Sequence, residues 1–373
     1  MRGLCHGLGL VLLSCMLSTP ALAAGTAPDP APKHRYFYKG YDYGSQALFN
    51  PLYVILNRGF DVLQLRPNRR SIWNQLYLRN VKNVWGSISD PGWAVARHGG
   101  LEKFATQELL PLDWTESGAR WAPNYGLHLI GGGMTFTELR EWFEDHGAPG
   151  PAGPAMFSIA TLGLSAFMNE TLENNDANGP NTDAVADMLV FDVAGVLLFS
   201  VPGVNEFFSK TVMLADWSLQ PAIVLPKGDL HNQGNYFAIK WPLPFYDRLR
   251  LFGYMGFEDL AGLSFKVDGQ TSISAAGGLR VATLQNAELN AVGNVIGVKP
   301  SAGIFIDKNN SLLASVHLSD VRDYYFRAEE YPNAFFRTKQ GLGFFTVVSR
   351  DGHVIAGLSF AHGLGLGLGA GNF

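Results

Sequence analysis

His128 is the side chain here best suited to move a proton at neutral pH, because imidazole titrates near physiological pH. It sits in the run Asn124-Tyr125-Gly126-Leu127-His128-Leu129-Ile130-Gly131-Gly132-Gly133. Acids follow in the next two apolar stretches: Glu170 and Glu173, then Asp183, Asp187 and Asp192. A buried carboxylate is costly unless it is paired, hydrogen-bonded or protonated. Two readings therefore compete. In the structural one, His128 pairs with Glu170 or Asp187 and pins three helices together. In the catalytic one, His128, Glu170 and Asp187 form a general acid–base set for lipid or glycan chemistry. No HExxH or comparable spacing marks a metal site, and no cofactor motif is present. There is no GxSxG, no P-loop and no GxGxxG between a strand and a helix. Ser359 and His362 are three apart, so a regular strand would point them to opposite faces.

The elements that must position these groups read as helices. Tyr125–Phe143, Pro154–Asn169 and Asp183–Val201 are apolar segments of helical length. His128, Gly131, Gly132 and Thr135 share a helical face at i, i+3, i+4 and i+7. Glycine in a helix costs about 1 kcal/mol relative to alanine, so three together point to close helix–helix contact. Upstream, Ile72, Leu76, Val81, Val84 and Trp85 recur at helical spacing. Asp90-Pro91 is an N-cap followed by proline, starting a helix toward Leu110 that Gly99-Gly100 bends or breaks. Tyr36–Leu65 is aromatic, glycine-punctuated and partly alternating, which predicts one or two strands.

One resemblance attaches to the helical stretch. Asn124…Leu127-His128…Gly131-Gly132, then Asn169-Glu170…Glu173, then Pro180…Asp183…Asp187…Gly195 resembles the helical core of a family of uncharacterised bacterial outer-membrane proteins. That family carries an Asn…His-Pro…Gly motif, an acidic helix end and a Pro-Ser…Asn-Asp stretch before a glycine-rich helix. Leu129 stands here where the family has proline. The resemblance implies an outer-membrane location and carries no activity with it.

From Trp217 onward the pattern turns to β. Roughly ten short strand-like runs follow, many separated by turn signals such as Lys227-Gly228-Asp229, Asp268-Gly269 and Arg350-Asp351-Gly352. The last run alternates. Leu364, Leu366 and Leu368 fall on one face, and Gly363, Gly365, Gly367, Gly369 and Gly371 on the other. A greasy outward face suits lipid. The bare face predicts close packing against a bulky object, most simply the helices of residues 125–201. The terminal Phe373 resembles the aromatic signal read by the outer-membrane assembly machinery.

Composition agrees. Charged residues make up 16% of the 373-residue chain, low against the roughly 25% of an average soluble domain. A net charge of −4 gives no basic field for nucleic acid. Arg2, the apolar run Leu8–Leu17 and Ala21-Leu22-Ala23 read as a secretory signal cleaved after Ala23. Cys5 and Cys15 both lie inside it, so the mature chain would hold no thiol.

The expected architecture is α+β. A signal peptide (1–23) and a linker with N-terminal strands (24–67) precede a helical region (68–210). The last part (211–373) is an antiparallel transmembrane β-barrel of about eight to twelve strands, filled or capped by the helices. The expected role is a non-enzymatic outer-membrane protein in structural support or passage of a lipid or polymer, with membrane lipids as partners. The alternatives are a membrane-embedded hydrolase or transferase using His128, Glu170 and Asp187, and a soluble periplasmic binding protein.

Overall fold

Asn50 and Pro51 start a helix inside the stretch whose sequence reads as strand. The computed structural model describes residues 35–65, 71–111, 122–174, 181–286, 294–361 and 363–372, which fall in one compact unit, Arg35–Phe373. The signal segment with both cysteines, Pro180, His362 and Phe373 lie outside the described residues. The Asn50 side chain accepts the Tyr53 N–H at 3.0 Å, and Pro51 takes the first turn. Helix α1 (Pro51–Phe60) follows, then a tighter 3₁₀ stretch, Asp61–Leu65. The strand expectation for Tyr36–Leu65 is thus corrected. Tyr53, Val54, Val62 and Leu63 are all buried, and that burial outweighs a strand propensity spanning only about 1 kcal/mol.

Helix α2 (Tyr77–Ser89) comes next. Asp90 then caps a short helix, Pro91–Arg97, by accepting the Trp93 N–H at 3.0 Å, and Gly99, at φ 109°, ends it. A π-helical stretch, Ala122–Gly132, runs into α3 (Gly133–Asp145). Helix α4 is Gly153–Glu173, and a second π-helical stretch, Val185–Phe191, runs into α5 (Asp192–Phe199). The close contact implied by the glycine cluster lies between α3 and α5. A Cβ on Gly195 would sit 2.6 Å from the Leu129 carbonyl, and one on Gly133 would stand 2.6 Å from the Gly195 carbonyl.

The remainder is sheet. Its strands are β1 (Ala215–Asp216), β2 (Ala222–Leu225), β3 (Asp229–His231), β4 (Phe237–Pro242), β5 (Leu249–Met255), β6 (Glu258–Lys266) and β7 (Thr271–Asn286). They continue as β8 (Asn294–Lys308), β9 (Ser311–Ser319), β10 (Phe326–Glu330), β11 (Leu342–Val348), β12 (Val354–Phe360) and β13 (Gly367–Gly371). Each strand from β4 to β13 is hydrogen-bonded to the next; β1 pairs with β4, β13 runs parallel to β2, and β2 pairs with β3. The chain is α+β, and the sheet has thirteen strands, above the expected range, with β1 and β3 as its terminal strands. Those two belong to one hairpin. Trp217 N–H donates to Tyr236 O at 2.9 Å and Leu219 N–H to Gly234 O at 3.0 Å, carrying the β1–β4 register on into the β2–β3 pair.

The two faces of the sheet differ in kind. One exposes Leu251, Leu263, Ile273, Ile304, Val316 and Phe344; the other buries Glu258, Ser274, Arg280, Asp307, His317 and Arg327. Tyr53 of α1 joins Trp217, Tyr236, Phe252, Phe305 and Tyr331 in the main aromatic core. The glycine strand keeps its greasy side out, with Leu364 and Leu368 exposed. Its bare side does not meet residues 125–201. At Gly365, φ 70°, a Cβ would stand 2.7 Å from Tyr53 Cβ and from Asn50 Nδ2, so the partner is the turn into α1. Gly367 and Gly371 face backbone of β12.

Candidate functional site

Four segments converge on one buried cluster of charged side chains. Asp192 opens α5, and its Oδ1 accepts from Arg58 of α1 at 2.5 Å. His128 Nδ1 lies 3.1 Å from the same oxygen. Arg58 Nη2 also stands 3.3 Å from His128 Nδ1. Arginine only donates, so the nearer carboxylate fixes Nδ1–H as the donor to Asp192. That choice leaves Nε2 to face Asp187, whose Oδ2 is 3.6 Å away. Glu170, from α4, is within hydrogen-bonding reach of Asp187. Two carboxyl groups hydrogen-bond only when they share a proton.

The chain of groups is therefore Asp192, His128, Asp187, Glu170. A carboxylate orients the imidazole, and the far ring nitrogen looks onto Asp187, beside which burial and the Asp187 charge hold the Glu170 carboxyl well above its usual range. Such an arrangement can pass a proton between Nε2 and the pair; it can equally serve as a buried lock. Burial is nearly complete: Asp187 and Asp192 are both below a tenth exposed.

Helix geometry assembles the set. Asp187 and Asp192 are five apart, and the π-helical stretch Val185–Phe191 turns an i, i+5 pair toward one side. His128 sits in the other π-helical stretch. This also corrects the face predicted around His128. A Cβ on Gly132 would meet Asp192 and Arg58, whereas Gly131 turns away onto the Phe237 ring.

His128, Glu170 and Asp187, the three residues singled out from sequence, are thus brought together. The nearest acid to His128 is however Asp192, not Glu170 or Asp187. Arg58 is the residue that sequence reasoning missed. Its signal was a single cation in the apolar run Asn50–Phe60, where a buried charge needs a partner. Among the described residues, no group of three His, Cys, Asp or Glu is arranged to hold a metal ion.

A second charged group lies on the buried face of the sheet. Glu258 accepts from Arg280, from His317 Nδ1 at 2.6 Å and from Arg327 at 3.4 Å. Arg280 also reaches Gln64 Oε1 at 2.9 Å and stacks on the Tyr324 ring. Lys240 pairs with Asp307 at 2.5 Å nearby. Outside both groups, Glu141 near the end of α3 accepts the N–H groups of Tyr36, Phe37 and Tyr38 at 2.5, 2.9 and 2.8 Å. Burial pushes the Glu141 carboxyl up, and these three donors pull it part of the way back.

Against known proteins, the chain matches no protein-family model, no curated protein and no solved structure.

Proposed function

We propose that this chain is an outer-membrane protein whose sheet crosses the bilayer as a β-barrel and gives structural support to the envelope. The inverted sheet carries this reading. Large apolar side chains stand exposed on one face, while arginine, histidine, lysine and carboxylates are buried on the other. In water the cheaper arrangement is the reverse; beside hydrocarbon this one is favoured. The unbroken register of the 215–238 hairpin supports closure. One arm of that hairpin pairs onward to β5 and the other to β13, so both ends of the strand order lie in this one hairpin. The likeness of Asn124–Gly195 to an outer-membrane family and the secretory-type residues 1–23 support the same address. Partners on this reading are outer-membrane lipids and, through Phe373, the barrel-assembly machinery.

The interior favours support over passage. Tyr53, Trp217, Tyr236, Phe252, Phe305 and Tyr331 pack into one aromatic cluster against the buried face, and a lipid or polymer would have to displace them. Membrane fractionation with heat-modifiable gel mobility tests the proposal. Extraction without detergent would end it and leave a soluble periplasmic protein.

One observation favours a second reading, a membrane-embedded hydrolase or transferase: Asp187, with Glu170 beside it, faces His128 Nε2 at 3.6 Å. His128→Ala separates the two. Loss of assembly supports the lock; a folded barrel that no longer converts a defined lipid or glycan supports the enzyme.

A further inference from the structure

The helical region repeats the inversion seen in the sheet. From Gly153 to Asn169, α4 carries no charged residue. It buries Ser158, Thr161 and Ser165 and exposes Met156, Ile159 and Leu164. The Val185–Phe199 run does the same, burying Asp187 and Asp192 and exposing Leu189, Val193 and Leu197, the last at 65%. A helix facing water shows the opposite pattern.

Position agrees with polarity. Residues of α1 and, further along the chain, Trp73 touch the hairpin in chain order. Tyr53 Oη donates to Ser218 O at 2.7 Å and Asn57 Nδ2 to Leu219 O at 3.1 Å. Gln233 Nε2 donates to Phe60 O at 3.0 Å, and Trp73 Nε1 to Gly228 O at 3.1 Å. The hairpin residues so covered span about 30 Å at 3.3 Å each, comparable to the hydrocarbon thickness of a bilayer. The helix α4 packs on α1: a Cβ on Gly59 would lie 3.2 Å from Met168 Cβ. Helix α1 therefore lies beside the hairpin at Ser218, Leu219 and Gln233, with α4 packed on it. The apolar surface of the helical region is also continuous with that of the sheet. Phe207, after the short helix Pro202–Glu206 that follows α5, packs on Trp241 with ring centroids 6.0 Å apart, and Trp241 pairs with Leu251 on the exposed apolar face.

We infer that α4 and the Val185–Phe199 helix rest against the hydrocarbon of the same bilayer, so that lipid acyl chains cover both the helices and the sheet. This rests on the outer-membrane reading of the sheet. No single described helix is long and apolar enough to cross a membrane, and Val185–Phe199 reaches that length only with Pro202–Thr211, across an 86° bend. The helices are accordingly held beside the wall instead of crossing on their own. The Asp192–His128–Asp187–Glu170 chain then lies at bilayer depth, next to acyl chains and away from bulk water.

The test uses the full chain reconstituted in phosphatidylethanolamine–phosphatidylglycerol vesicles. Nitroxide labels go on Leu164→Cys and Leu197→Cys, with Leu263→Cys on the sheet and Arg350→Cys on a charged turn as references. Heat-modifiable mobility confirms that each variant is folded. The expected result is that labels at 164 and 197 match 263: accessible to oxygen and several-fold less accessible than 350 to a water-soluble nickel chelate. Nickel access at 164 and 197 equal to that at 350, with 263 still shielded, overturns this inference alone. Nickel access at 263 as well overturns the membrane reading with it. Labels at 164 and 197 shielded from both oxygen and nickel would mean a protein partner, which also overturns it.

Discussion

Asp192 and Glu258 are each met by an arginine and a histidine, in two regions built by different rules. In the sheet the partners come from register. Glu258 and Arg280 are direct cross-strand neighbours on β6 and β7, and His317 and Arg327 are direct neighbours on β9 and β10. Two local pairs thus make a quartet in which cations outnumber the acid. In the helices the partners come from four distant segments, and acids outnumber cations: Asp192, Asp187 and Glu170 against Arg58 and His128. The sheet quartet matches its one acid from neighbouring strands and keeps a surplus cation. The helical group keeps a surplus carboxyl that only a shared proton can accommodate. One arrangement is suited to locking a wall; the other leaves a proton to move.

The largest expected effect breaks the sheet side. Glu258→Ala strands Arg280 and Arg327 in a buried site without their carboxylate, at a cost of about 3–5 kcal/mol. The folded, heat-modifiable band should be lost or its melting midpoint should fall steeply. A loss under about 1 kcal/mol would remove the lock from the comparison. Asp192→Asn is next, at about 3 kcal/mol, since it removes the charge facing Arg58 and His128. The cost should fall below that of Glu258→Ala, because Asp187 remains near His128 to take up part of the charge. Denaturant midpoints of the two variants, measured side by side, check that order.

Gly365→Ala probes how the regions are joined. The residue combines a left-handed backbone with Tyr53 and Asn50 at 2.7 Å from a would-be Cβ, so about 1–3 kcal/mol should be lost. The contact between the turn before β13 and the start of α1 would register it as a lower melting midpoint. A neutral outcome would mean that α1 and the sheet are less tightly coupled than their packing implies.

What the sequence made legible follows the same division. Strand periodicity and turn residues are local signals, so the β half and its outward leucines could be read directly, as could the three apolar helices. The inward charges of the sheet could not be grouped, because Glu258 meets His317 and Arg327 from strands far along the chain, and no local signal links them. Tyr36–Leu65 misread because aromatic and β-branched residues serve a buried helix as well as a strand, and only the Asn50-Pro51 pair marks the difference. Glu170, Asp187 and His128 were visible as costly charges in apolar helices. Arg58 and the role of Asp192 were not, since a regular 3.6-residue helix does not align positions five apart and the π-helical turn does.

Glu170→Gln sharpens the comparison most, although its effect is the smallest, because its sign should reverse. Removing an acid from the sheet leaves cations unpaired; removing this one relieves a crowded pair of carboxyls while Gln keeps a donor for Asp187. Stability at neutral pH should change by less than about 1 kcal/mol, in the stabilising direction. The pH dependence gives the sign independently. A carboxyl that folding holds protonated contributes stability at low pH and loses it as pH rises through its folded titration. Burial and Asp187 both act that way on Glu170. The parent chain should therefore weaken toward alkaline pH more than the Gln variant does, in thermal melts compared at acidic and alkaline pH. A Gln variant that is as costly as Glu258→Ala, with the parent's pH slope intact, would make the two clusters alike: both locks, with no proton to spare at Asp187.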